Sequence, residues 1–464
     1  MIVMKFGGTS VDGAERIAGV ARTVRERAVD DPVVVTSAMR GVTDDLTRML
    51  DVALSGDRES LDRETASLGE RHQVAAESLA PSDQRLQQRV EAHLRELRVL
   101  LRGVRLVGVA TPRSVDAVLG YGELLAQELL ATALRGRDLE SRVVDARSVL
   151  VTDDGFGAAQ PDLARTTVRA DAVVRPVIAS GSVPVLGGYV GATEDGVPTT
   201  LGRGGSDLSA ALLGLALRAD AVEIWTDVSG LMTCDPRVEP AARVLPRASF
   251  LEAAELAAYG AKVLHPASIY PAVQGGIAVV VRNSFAPSEP GTHIAANGRA
   301  SSAGDEVVAV GGRSGLSRMT IRHKAGVSTS ELAATLAEAT GRSGQTPLFT
   351  ALGSTGASYV VDAGARASEL AELFARLDRV ENVETEEGLA AVAIVGEGVS
   401  GCERACARLF TRAAEVGFLG LLPASSSASL AVLVHERAKE PLMRALHADL
   451  VSGEPAERVG GRAS

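Results

Sequence analysis

Residues 1–38 read MIVMKFGGTSVDGAERIAGVARTVRERAVDDPVVVTSA, and this opening sets the fold class. Residues 2–6 form a short apolar run that breaks at Gly7-Gly8-Thr9-Ser10, after which Ile17, Val20, Ala21 and Val24 recur at helical spacing. Val33-Val34-Val35 gives a second strand, ending in Thr36-Ser37-Ala38. Strand, glycine turn, helix and strand, in that order, open an α/β layer. The turn also has chemical content. Backbone N–H groups ahead of a helix cradle phosphate oxygens, and Lys5 at the strand end can approach the negative charge of a transferred group. The P-loop pattern GxxxxGK[ST] is absent. Taken alone, the segment reads equally well as a tight β–α turn.

Outward from this opening the α/β pattern continues. Residues 44 to 106 are charged and leucine-spaced, which predicts helices broken near Pro81. Leu106-Val107-Gly108-Val109 predicts a strand, and Gly120-Tyr121-Gly122-Glu123 opens a helix through Leu129. Further strands are expected at Ser141–Val144, Val183–Leu186, Ala221–Thr226 and Ile277–Val281. Together these make one large α/β domain, residues 1–297. Composition shifts between Gly298 and Asp305, which reads as a linker. Beyond it come strands at Val307–Val310, Leu348–Leu352, Ser358–Val361, Glu387–Val395 and Leu430–Val434, with helices at Gly326–Thr340, Ala405–Val416 and Glu440–Leu446. Two similar β-α-β-rich units, 305–385 and 386–454, are expected. Units that small bury their sheets by pairing with each other.

Three later segments carry polar groups in glycine-rich settings. Thr199-Thr200-Leu201-Gly202-Arg203-Gly204-Gly205-Ser206-Asp207 stands just before a helical run. Its glycines let the chain pass close to a ligand, Arg203 can grip a carboxylate or phosphate with two donors, and Asp207 can accept from an ammonium or position a second group. Anion recognition explains this better than a solvent-exposed turn. Trp225-Thr226-Asp227-Val228-Ser229-Gly230 follows a strand end, where α/β folds place ligands, so Thr226 and Asp227 could meet a nucleotide base or ribose. Lys262, in Gly260-Ala261-Lys262-Val263-Leu264-His265-Pro266, sits among small and apolar neighbours with little structural reason to be there. His265 reads as a cap rather than a base.

Bulk properties exclude several classes. A net charge of −10 with no sustained basic run argues against nucleic acid, while leaving local binding of small anions open. Aromatic residues are 3% of the chain, so recognition by stacked aromatics is not expected. Cys234, Cys402 and Cys406 are too few and too poorly spaced for a disulfide framework or a metal site, and read as small buried side chains. No basic segment precedes an apolar helix at the start and no run is long enough to span a membrane, so a cytoplasmic location is expected.

In order along the chain stand KFGGTS (5–10), TSAMRGVTD (36–44), GYGE (120–123), TTLGRGGSD (199–207), TDVSGLMTCDPR (226–237), GAKVLHP (260–266) and NSF (283–285). This ordered set resembles the aspartate kinase (aspartokinase) family of the amino-acid kinase superfamily. The resemblance implies a three-layer αβα kinase domain with a mainly parallel sheet, followed by two ferredoxin-like ACT domains that pair, giving a homodimer that binds an amino-acid effector. It implies ATP, Mg²⁺ and L-aspartate as ligands. Lys5, Gly7 and Gly8 would meet the ATP phosphates. Ser37, Thr43, Glu123 and Arg203 would hold aspartate, and Asp207 would help organise the centre. Thr226, Asp227, Arg237 and Lys262 would serve the nucleotide, with Lys5 and Lys262 stabilising the migrating charge. The expected reaction is ATP-dependent phosphorylation of the aspartate side-chain carboxylate, serving biosynthesis of lysine, threonine and related metabolites. A kinase for another amino-acid carboxylate and a non-catalytic amino-acid sensor are the alternatives.

The chain departs from the family near its end. Gly417-Phe418-Leu419-Gly420-Leu421-Leu422-Pro423-Ala424-Ser425-Ser426-Ser427 replaces a stretch resembling GINI…ISTSEI, and Pro423 removes an N–H that an effector-facing strand would use. Arg322-His323-Lys324-Ala325-Gly326-Val327 is also unusual for the family. These differences lead us to expect altered or absent effector control, and leave a dedicated role in secondary metabolism, such as ectoine or natural-product formation, open as the alternative to the primary-pathway one.

Overall fold

The computed structural model describes residues 1–261, 264–296, 307–344, 347–422 and 426–451. The chain divides into two compact units. The first comprises residues 1–231, 246–250 and 263–298; the second comprises 232–245, 251–262 and 299–464. Lys262, the whole of the expected linker and Pro423-Ala424-Ser425 lie outside the described residues.

The first unit begins with β1 (Ile2–Phe6), β2 (Pro32–Thr36), β3 (Ser141–Val143) and β4 (Val183–Gly187). A hairpin of β5 (Val190–Ala192) and β6 (Pro198–Thr200) follows, then β7 (Ala221–Thr226), β8 (Arg247–Ser249), β9 (Ala278–Asn283) and β10 (Thr292–Ala295). Eight of these strands form one sheet in the order β3-β4-β2-β1-β7-β9-β10-β8, parallel at every junction except β9–β10. The inner strands are apolar because helices cover both faces, so no solvated side imposes alternation.

The helices include α1 (Ala14–Glu26), α2 (Val42–Ser55), α3 (Arg58–Leu79), α4 (Gln84–Val107), α5 (Pro112–Leu119), α6 (Tyr121–Arg135), α7 (Leu163–Ala179) and α8 (Gly205–Leu217), with a further helix at Pro266–Gln274. Met4, Phe6, Val34, Val185 and Trp225 pack with Ile17, Val20 and Val24 of α1 and Leu125 and Leu129 of α6 in one buried cluster. Along β7, Val222 is turned toward Gly214 of α8, whereas the next residue, Glu223, ion-pairs with Arg27 beyond α1. Adjacent strand residues point to opposite faces, so α1 and α6 cover one face and α8 the other. This is the three-layer αβα arrangement with a mainly parallel sheet.

One expected strand is absent. Residues 106–109 belong instead to the end of α4 and its cap, where Gly108 takes the left-handed conformation and returns its N–H to the Val104 carbonyl. Leu106, Val107 and Val109 are exposed, so their apolar character does not build core. The break near Pro81 falls between α3 and α4, as the spacing predicts.

The second unit contains a six-stranded antiparallel sheet in the order 349–353, 356–362, 309–323, 380–395, 429–435, 418–422. Its two halves meet where the long strands Ala309–His323 and Val380–Val395 pair. Met319, Ile321 and Tyr359 bury helices Thr329–Ser343 and Ala365–Ala375 in one core. Val392, Ile394, Val432 and Val434 do the same for Glu403–Val416 and Lys439–Leu450 in another, joined by Cys234 and Val238. The halves are the expected pair of ferredoxin-like units, merged edge to edge. Among the described residues, no helix is long and apolar enough to cross a membrane.

Candidate active site

Each parallel strand of the first unit delivers its motif at the carboxyl end, where α/β sheets bind ligands. Alternation along β1 sends Met4 and Phe6 into the α1–α6 core and Lys5 to the other face. There the Lys5 Nζ lies 2.6 Å from Asp207 Oδ1, in the first turn of α8, and both side chains are largely buried. The Gly7 N–H donates to the Trp225 carbonyl at 3.0 Å, which ties the glycine turn to β7. Gly8 passes so close to the β2–α2 loop that a Cβ there would stand 2.8 Å from the Ala38 carbonyl oxygen. On the other side, the Ser37 N–H donates to the Phe6 carbonyl at 3.0 Å.

Glu123 enters from the first turn of α6 and is 3% exposed. Its Oε1 accepts the Ala38 N–H at 3.2 Å, while Oε2 is buried without a hydrogen-bond partner. Burial pushes the carboxyl up to about 8, against the opposing pull of that N–H and of the Lys5 charge. A buried carboxylate oxygen with no donor is unfavourable, which is the physical cause of the raised pKa. Gly187 at the end of β4 makes room for this side chain, since a Cβ there would come 2.8 Å from Glu123 Cβ. The Gly187 N–H is held by Gln127, one turn further along α6, at 2.9 Å.

Arg203 stands in the loop between β6 and α8, exposed, with no ion pair among the described residues. Gly202 and Gly204 on either side have φ of +74° and +73°, a left-handed backbone that L side chains resist. Thr43 lies in the first turn of α2, partly buried, and Ser37 is likewise partly buried after β2. Thr226 closes β7, its carbonyl accepting both the N–H and the hydroxyl of Ser284 at 2.8 and 2.9 Å, and its own hydroxyl reaches Asp227 at 3.2 Å.

The structure thus gathers Lys5, Gly7, Gly8, Ser37, Glu123 and Asp207 around the ends of β1, β2 and β4, with Thr226 and Asp227 at the end of the adjacent β7. Arg237 is different. It belongs to the second unit, and its guanidinium is folded back on Asp235, at 3.0 and 2.6 Å.

Two site residues are not visible from sequence patterns. Tyr189 has φ of +66°, a left-handed backbone that is unusual for an aromatic residue. It is anchored by its N–H to the Ser209 hydroxyl at 3.0 Å, and its phenol is hydrogen-bonded to Thr200 and pushed upward in pKa by burial. The preceding pair Gly187-Gly188 is the only local signal. Asp116 lies within an ordinary amphipathic helix, and its fully buried carboxylate becomes notable only once the loops around it are seen.

Among the described residues, no three His, Cys, Asp or Glu side chains converge as a metal set. Asp207 is already paired with Lys5. A divalent ion here would therefore be held chiefly by the oxygens of a bound nucleotide.

The amino acid kinase family matches residues 1–283. Lysine-sensitive aspartokinase 3 of Escherichia coli is 38% identical over 293 residues, which is 63% of this chain and 63% of that protein. The crystal structure of E. coli aspartokinase III in complex with aspartate and ADP (R-state) superposes with a TM-score of 0.81 at 31% identity, covering 97% of this chain and 99% of that one. The same enzyme in complex with lysine and aspartate (T-state) gives a TM-score of 0.82 at 30% identity, covering 97% and 99%. The chain therefore belongs to the amino acid kinase family, on its aspartokinase branch, with a kinase fold followed by two ACT units.

Proposed function

We propose that this protein transfers the γ-phosphoryl group of ATP to the side-chain carboxylate of L-aspartate, giving L-aspartyl 4-phosphate and ADP. The observation that carries the reading is the buried Lys5–Asp207 pair beside a Glu123 carboxylate oxygen that lacks a donor. One group presents positive charge to a phosphoryl group, and the other awaits an ammonium.

The acceptor carboxylate has a pKa near ~3.9 and is already ionised in neutral solution, so no general base is required. One carboxylate oxygen bonds to the γ-phosphorus, the bond from phosphorus to the β–γ bridging oxygen breaks, and ADP leaves with that electron pair. No proton moves. The difficulty is electrostatic, since one anion approaches another while charge spreads over the transferred oxygens. Lys5 offsets that charge, Asp207 fixes its Nζ, and the Gly7 and Gly8 turn approaches the phosphates through backbone. Lys262 is the second cation of this reading. Mg²⁺, carried by the nucleotide, neutralises phosphate charge and fixes its geometry.

Glu123 takes the α-ammonium, the Arg203 fork takes the α-carboxylate, and Ser37 and Thr43 close the acceptor pocket. Thr226, Asp227 and Arg237 serve the nucleotide; for Arg237 this means leaving Asp235. The kinase domain is residues 1–297, with ACT units at 305–385 and 386–454 that carry a homodimer contact and the place where an amino-acid effector, of altered or lost influence here, would bind. A cytoplasmic location and a place in aspartate-derived amino-acid synthesis go with this reading.

The deciding experiment is ADP release with ATP, Mg²⁺ and a panel of amino acids, with hydroxylamine capture of the acyl phosphate. Aspartate-dependent ADP release with a matching hydroxamate is expected. A hydroxamate formed from glutamate instead would reassign the acceptor, and no turnover with any amino acid would leave a sensor.

A further inference from the structure

We propose that Asp116 is a positioning residue for the acceptor amino acid, setting the distance between the Arg203 loop and Glu123. This rests on the pocket described above. The Asp116 side chain is 1% exposed and accepts hydrogen bonds from two separate loops. Its Oδ2 takes the Thr200 N–H at 2.7 Å and the Gly157 N–H at 2.9 Å, and its Oδ1 takes the Thr200 hydroxyl at 2.9 Å. Among the described residues no Lys, Arg or His forms an ion pair with it. A buried carboxylate without a counter-ion is costly, and here only convergent donors hold it in place.

The location gives that cost a purpose. Thr200 ends β6 and leads directly into Leu201-Gly202-Arg203-Gly204, the stretch with two left-handed glycines. Gly202 lies against the 155–158 turn, where a Cβ would come within 3.0 Å of the Gly157 carbonyl oxygen, and that turn is also gripped by Asp116. Two supports of the Arg203 loop therefore hang from one carboxylate.

Asp116 itself belongs to α5, which runs into α6 at Gly120, and its carbonyl accepts the Gly120 N–H at 3.2 Å. Glu123 follows in the first turn of α6. Contact with Val190 fixes the corner, because a Cβ on Gly120 would stand 2.9 Å from Val190 Cγ1. The group that meets the α-ammonium and the loop that meets the α-carboxylate are thereby referenced to one helix corner. Without the tether, the glycine loop keeps its fold at the α8 end but loses its register at the β6 end.

The test is steady-state kinetics on Asp116→Ala, Asp116→Asn and Thr200→Val in the full chain, with Arg203→Ala as the reference. Asp116→Ala raises KM for aspartate by about tenfold or more while KM for ATP stays within about twofold. Asp116→Asn recovers most of the loss, because its amide oxygen still accepts both N–H groups and its NH₂ can donate to the Thr200 hydroxyl. Thr200→Val, which removes one donor, shifts KM for aspartate in the same direction by a smaller factor and covers the case in which Asp116→Ala does not fold. The double variant Asp116→Ala/Arg203→Ala is no worse for aspartate than Arg203→Ala alone. A purely structural role would instead move both KM values and the melting temperature together, or give additive losses, and either result overturns the proposal. If Arg203→Ala itself leaves KM for aspartate unchanged, the pocket reading fails rather than the tether.

Discussion

At the level of single residues, the chemistry and the stability of the site share the same atoms. Lys5→Ala is expected to lower kcat by about a hundredfold or more, the loss typical of one well-placed donor to a developing anion. It also leaves Asp207 buried without its cation, so the melting temperature falls too. Lys5→Ala/Asp207→Ala separates the two effects: thermal unfolding returns toward the parent value while turnover stays lost. Glu123 adds a pH dependence. Its folded-state pKa, about 8, lies above the ordinary 4.5, so its contribution to stability is full below 4.5 and is lost as pH rises through about 8. An ammonium bound at Oε2 reverses that loss. Aspartate should therefore raise the melting temperature more near pH 8.5 than near pH 6, and Glu123→Gln should flatten the difference, as differential scanning fluorimetry would read directly. Lys5, Glu123 and Arg203 stand in motifs that sequence alone brings to notice. Asp116 does not, because its role depends on two loops that only the fold brings to it.

At the level of elements, apolar runs predict strands well where both faces are covered, as in β1, β2 and β7, and badly where an apolar run ends a helix, as at residues 106–109. The strand 309–323 shows the opposite error. The expected strand is Val307–Val310, yet the observed one continues through Gly311-Gly312 to His323. A Cβ on Gly311 would meet Tyr259 at 3.0 Å and one on Gly312 would meet the Met443 sulfur, so these glycines admit close neighbours rather than ending the strand. Helix α3 supplies a further test. His72 is fully buried, its Nδ1 hydrogen-bonded to the Leu68 carbonyl at 2.8 Å, and burial, aided by the nearby Arg71 charge, lowers it to about 4 from 6.5. Its contribution to stability is present above 6.5 and lost as pH falls through about 4. His72→Leu should thus lose less melting temperature between about pH 7 and pH 5 than the parent does.

At the level of the whole molecule, the two compact units are not consecutive in sequence. Segments 232–245 and 251–262 fold with the C-terminal unit, where Cys234 and Val238 are buried beside Val392, Ile394 and Leu446. Both segments lie inside the expected kinase domain, residues 1–297. A chain ending at residue 298 should expose those side chains, and size-exclusion chromatography should find it aggregated and without aspartate-dependent ADP release. Composition near residues 298–305 marks one boundary between the compact units, whereas the short interior stretches carry no compositional signature. Effector control is tested on the full chain by adding lysine and threonine to the kinase assay, and little inhibition by either is expected from the altered stretch at residues 417–427.

The placement of β1 has one further consequence. The strand that carries Lys5 is synthesised before β2 and long before β7, so it can pair with β2 while Phe6 must wait for Trp225 before its other edge is closed. Until β7 is synthesised, the middle of the sheet has an open apolar border, and the nascent chain depends on chaperones or on speed of translation to keep that border from strangers.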